Sequence, residues 1–112
     1  MEAKEFVIKL RERVIENDFN VYRDLLDSNI EATDPIWNGI LRIFNTINKK
    51  QQEDLLNFLR LTQVNTLSHV LGILDGPINL SESNENFILI TDKENKVING
   101  DLQDIFLEME ES

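Results

Sequence analysis

Acid–base or metal chemistry in this chain would have to start from its single histidine, His69, and from a set of scattered carboxylates. An imidazole titrates near neutrality and is the commonest general base and metal ligand. Thr62, Asn65, Thr66 and His69 recur at intervals of three and four. On a helix that spacing gives one uncharged polar stripe, a candidate groove for a small molecule. Two features weigh against chemistry there. No cysteine or second histidine exists to share a metal, and from Leu61 to Leu74 there is no carboxylate to orient the ring. The expectation is a hydrogen-bonded interior or groove histidine, with the stripe meeting the hairpin or its loop and satisfying buried backbone groups. No catalytic residue, metal site or cofactor is expected.

The carboxylates Asp75, Glu82, Glu85, Asp92, Glu94, Asp101 and Asp104 crowd the second half of the sequence. Paired carboxylates catalyse when their surroundings split their pKa values. Asp92-Lys93-Glu94-Asn95-Lys96 offers some oxygen ligands but not the full pattern of a calcium loop. A solvated acidic surface is the simpler reading. The net charge of −10 is uneven: residues 1–60 hold nine basic and eleven acidic side chains, and residues 61–112 hold two and ten. Such a field repels nucleic acid and anionic membranes and attracts a basic protein. Large aromatics anchor interfaces, which makes Trp37 and Tyr22 candidates, although Trp37 also sits beside an isoleucine-rich stripe that suits a core.

The expected binding set is therefore Trp37, Glu82, Glu85, Asp92, Glu94, Asp101 and Asp104. The functional expectation is a non-enzymatic acidic domain that neutralises or escorts a basic partner. By size and charge alone, an immunity protein or inhibitor would work this way. Two alternatives stand beside it. One is a homodimeric assembly module, joined through an apolar strand at Phe87–Thr91 or through the isoleucine-rich helix. The other is a small-molecule binder at the Thr62, Asn65, Thr66, His69 groove.

The element that must position all of these runs from Asn48 to Gly76. Asn48 and Gln51 have the spacing of a capping box, and Asp75-Gly76-Pro77 carries stop signals. The 14 residues Leu61–Leu74 hold no charge in a chain that is 29% charged. Unpaired charge is costly to bury, so this run is expected inside the protein, as the middle of a central helix over about 49–75. Around it, periodicity predicts a helix over 2–17 with Ala3, Val7, Leu10 and Val14 inward, ended by Asn17-Asp18. A short helix over 21–29 follows, capped by Asn20. Asp34-Pro35 predicts the start of a third helix over 35–47. Phe87–Thr91 and Lys96–Ile98 predict a small β-hairpin within 87–98. Asn99-Gly100-Asp101 reads as a turn and cap before a final helix over 102–110, whose acidic tail is expected to fray.

The fold expected is mainly helical: four to five helices in a compact bundle around the long central one, with the C-terminal hairpin, in a single domain over 1–112. No apolar run approaches the roughly 18 residues of a membrane helix, and the charged N-terminus does not resemble a signal peptide. With no cysteine, a cytoplasmic protein is expected. Its asparagine- and isoleucine-rich composition suggests a bacterial source, and either a monomer or a homodimer is compatible with the charge.

Overall fold

The structure is a computed structural model that describes residues 1–28, 34–80, 82 and 85–111. The described elements are helical: α1 (Ala3–Arg11), a π-helical segment (Glu12–Asn17), α2 (Asp18–Asp27), α3 (Pro35–Thr46), α4 (Lys49–Asp75) and α5 (Leu102–Glu111).

The first two expected helices are one rod. Arg11, Glu12, Asn17 and Asp18 keep right-handed helical dihedrals, so the backbone passes from α1 through the π segment into α2 without a break. Asn17-Asp18 ends nothing, and Asn20 caps nothing. The reason lies in how the rod meets the core. A regular helix returns to the same face after seven residues, which would bury Val14 two turns beyond Val7. A π turn accommodates one extra residue. Val7 and Ile15, eight apart, are both fully buried, while Val14 is only half-buried. The expected end of the second helix, residue 29, lies outside the described residues.

The boundaries of α3 and α4 follow local chemistry. The Asp34 carboxylate accepts from the Ile36 amide at 2.8 Å, with Pro35 opening the helix. Asn48 accepts from the Gln51 amide at 2.8 Å, and the Gln51 side chain accepts from the Asn48 amide at 3.0 Å. Gly76 closes α4 with φ of 107°, a left-handed conformation that suits glycine.

Helix α4 joins two separate cores. Its first half packs Leu55, Leu56 and Leu59 on Leu26, Leu41 and Phe44, with Trp37 and Ile40 beside them. Its second half places Leu67 and Leu71 against Val7, Ile15, Leu102 and Phe106. Twenty-seven residues of helix span about 40 Å at 1.5 Å each. The molecule is accordingly long, 49 × 31 × 29 Å. Its radius of gyration is 17.6 Å, against about 13 Å for a compact domain of this length. Its accessible surface is 8149 Å², roughly 1,800 Å² more than size scaling gives for a folded monomer. The expectation of a compact bundle is corrected in this respect.

The expected hairpin is corrected too. Among the described residues there is no strand, only one antiparallel bridge between Ile90 and Val97. The Ile98 amide donates to Leu89 O at 2.9 Å, and Asn95 turns the chain with φ of 53°. A ladder cannot extend because the Asn99 carboxamide takes its backbone groups. Asn99 accepts from the Leu89 amide at 2.8 Å and donates to Phe87 O at 2.8 Å and to Leu74 O at the end of α4. One side chain thus pins the loop to the central helix.

Helix α5 is capped from a distance. Asp75, the last residue of α4, accepts from the Gly100 amide at 2.6 Å and the Gln103 amide at 2.8 Å. The Gln103 amide is a donor that Asp101, as the expected cap, would have served. The expected fraying does not reach Glu110, which pairs with Arg11 and lies 3.8 Å from Arg60, itself 3.0 Å from Glu16, while Ser112 lies outside the described residues. The helix continues to Glu111. Two arginines and two glutamates balance where the rod, α4 and α5 meet, and Arg60 also lies 5.9 Å from the centre of the Phe19 ring.

Candidate functional site

The uncharged run is only half interior. Leu67, Ser68, Leu71 and Gly72 are buried, but Thr62, Asn65, Thr66 and His69 are exposed. Phe58, Leu61 and Val70 are 63, 54 and 47% exposed. His69 has no hydrogen-bond partner among the described residues. The expectation of a hydrogen-bonded interior histidine, and of a wholly buried central run, is overturned. The cause is geometric. Rod and α5 pack on one side of α4, and among the described residues no element covers the face of Phe58, Thr62, Asn65 and His69.

The result is a continuous solvent-facing strip without charge. At 3.6 residues per turn, Phe58, Thr62, Asn65 and His69 form one line along α4. Leu61 flanks it on one side, and Thr66, Val70 and the half-buried Ile73 on the other. From Phe58 to Ile73 the strip is about 22 Å long. Hydroxyl, amide and imidazole groups sit in its middle, with apolar side chains at both ends. A groove of about 370 Å³ adjoins it between α4 and the rod. Val14, Asp18 and Tyr22 line it from the rod, and Thr62, Thr66 and Val70 from α4. Gln63 and Leu67 complete the lining, and the Gln63 Oε1 is buried without a hydrogen-bond partner among the described residues. Of the expected groove residues, Thr62 and Thr66 border this cleft, while Asn65 and His69 lie on the outer strip.

The strip has the makings of a contact surface rather than a reaction centre. The Thr62 hydroxyl donates to Phe58 O at 2.9 Å within the helix. His69 is exposed, and among the described residues no carboxylate pairs with it. Among the described residues no three histidine or carboxylate side chains gather as a metal would require.

The other expected set does not assemble. Trp37 is half-buried in the core around the first half of α4, with its ring 5.5 Å from that of Tyr22. Glu85, Asp92 and Glu94 lie on the loop pinned to the far end of α4, and Asp101 and Asp104 at the start of α5. Leu56 and Leu74 alone are separated by about 27 Å of helix. Trp37 and the carboxylates therefore share no patch. Glu82, Glu85, Asp92, Glu94, Asp101 and Asp104 are all exposed. Part of the local acid is neutralised: Glu94 pairs with the Met1 ammonium at 2.5 Å, and Glu2 with Lys96. The hydrogen bond and charge of Lys96 hold the Glu2 carboxyl below its ordinary range, and Glu2 raises Lys96 in the same way.

The polar members of the strip, Thr62, Asn65, Thr66 and His69, are legible as a stripe from their spacing, whereas Ile73 carries no signal of its own. By type and spacing Phe58, Leu61 and Val70 read as members of an apolar face, and no local signal distinguishes them from Leu67 or Leu71. Among the described residues no helix is long and apolar enough to cross a membrane. No family model matches the chain, nor does any curated protein or solved structure.

Proposed function

We propose that this chain is a non-enzymatic protein-binding domain that works through the outward strip of α4. One observation carries the reading: in a chain that is 29% charged, a solvent-facing strip about 22 Å long holds no charge. Depletion of charge around aromatic and apolar side chains is the compositional mark of an interface centre. Isolated exposed apolar residues are ordinary, but here Phe58 lies in one line with the uncharged Thr62, Asn65 and His69, and Leu61 and Val70 are exposed on its two flanks. The extra surface of the elongated shape supports the same reading.

A photoreactive amino acid at position 69, compared with one at exposed Glu12 on the rod, tests it. The expected result is a discrete covalent adduct from position 69 and none from position 12. Equal labelling from both positions, or none from either, would remove the reading.

A basic partner is the second reading. It is favoured by Asp92, Asp101, Asp104 and Glu108, which carry no ion pair among the described residues. These groups would speed encounter rather than hold the complex. On that reading association slows several-fold between low and physiological salt, and a rate indifferent to salt would count against it.

A further inference from the structure

We infer that the occupant of the α4 strip is a second copy of this chain, lying antiparallel across a two-fold axis between Asn65 and Thr66. The inference rests on the reading of the strip as an interface and names what covers it.

The first argument is the order of residues along the strip. Taken outward from the midpoint between Asn65 and Thr66, both directions give the same sequence of chemistry. Asn65 matches Thr66, Thr62 matches His69 and Phe58 matches Ile73, with Leu61 and Val70 at the two opposite edges of the strip. A two-fold interface brings position i of one copy to position j of the other and j to i, so its surface must complement itself when reversed. A strip that is polar in the middle and apolar at both ends meets that condition in an antiparallel crossing. Hydroxyl, amide and imidazole face their like at the axis, where each can donate and accept.

The second argument is charge. Two copies of net charge −10 repel each other over most of their surfaces. The strip is where they can approach without bringing carboxylates together. The antiparallel arrangement also directs Lys49 and Lys50, at the start of one α4, toward the acidic loop beyond the end of the other.

The third is area. A standard interface covers about 800 Å² on each partner, well within the roughly 1,800 Å² of excess surface this elongated chain exposes. The groove beside Thr62, Thr66 and Val70, with Asp18 on its rod side, borders the contact rather than forming part of it.

Sedimentation velocity on the full chain from 1 to 100 µM tests this, together with Thr66→Arg and Asn65→Cys. Thr66 is exposed in the middle of a helix, where arginine is a better helix former than threonine, so the variant keeps its fold. The expected result is a dimer whose dissociation constant rises at least tenfold in Thr66→Arg, because the axis places two arginines together. The chain has no other cysteine, so Asn65→Cys should oxidise to a covalent dimer while Asn45→Cys on α3 does not. A dimer indifferent to Thr66→Arg would overturn the placement. A monomer at every concentration would overturn the second copy. In that case an adduct to another protein at position 69 would leave the interface reading standing, and no adduct would end both.

Discussion

Gly39 and Gly72 both lie within helices, yet alanine should move stability in opposite directions at the two. A Cβ at Gly39 meets nothing within 4 Å, so Gly39→Ala should stabilise by about 0.5–1 kcal/mol through helix propensity alone. A Cβ at Gly72 would sit 2.6 Å from Ile78 Cδ1 and 2.8 Å from Gln103 Nε2. That amide is not free to swing away, since it donates to Ser68 O at 3.1 Å and Ser68 Oγ at 3.2 Å. Overpacking outweighs the helical gain there, and Gly72→Ala should cost about 1 kcal/mol net. Urea unfolding of the two variants checks the pair, and equal stabilisation would mean that α5 does not sit against α4 as described. At the surface, Glu2 and Lys96 make a pH-dependent tie. The lowered Glu2 carboxyl contributes above the ordinary glutamate range and loses its contribution as pH falls through its own value. The raised Lys96 ammonium contributes below the ordinary lysine range and loses it as pH rises through its raised value. The tie therefore holds between those limits. An NMR titration should place the Glu2 midpoint below the ordinary 4.5, and Lys96→Ala should raise it toward that value.

The rod carries the clearest test at the level of elements. Ile15 is fully buried through the extra residue of the π segment, so Ile15→Ala should cost about 2–5 kcal/mol. Val14→Ala should cost roughly half of that or less, since Val14 is only half-buried. A regular helix would reverse the order, and thermal unfolding of the two variants distinguishes them. The same element marks where sequence stops being informative. Asp34-Pro35, the Asn48–Gln51 box and Gly76 act on groups within about four residues, and each boundary falls where these signals put it. The π segment answers to the position of a distant core. Asn99 disrupts the expected hairpin by reaching Leu74, 25 positions away, and Arg11 steadies the C-terminal helix from 99 positions away. Neither partner is visible locally. The uncharged run was legible as exceptional, but missing charge has two physical causes, burial and binding. Spacing alone does not separate Leu67, which faces the core, from Phe58, Leu61 and Val70, which face water.

At the scale of the whole molecule, two small cores strung along one long helix leave the middle of that helix covered on one side only. This arrangement turns an apolar and polar strip outward, while the carboxylates gather around the loop and α5. It also makes the chain extended rather than spherical. On the proposed reading the strip is open in the isolated chain and covered in the assembled one. His69 reports on both states, because it is the only histidine and lies in the strip's polar middle. Its rate of modification by diethyl pyrocarbonate, followed by peptide mass, should match that of a free imidazole at high dilution. It should then fall several-fold as the chain is concentrated or its partner is added. A slow rate at every dilution would return His69 to the interior, and a fast rate unchanged by concentration or by any partner would leave the strip with nothing to bind.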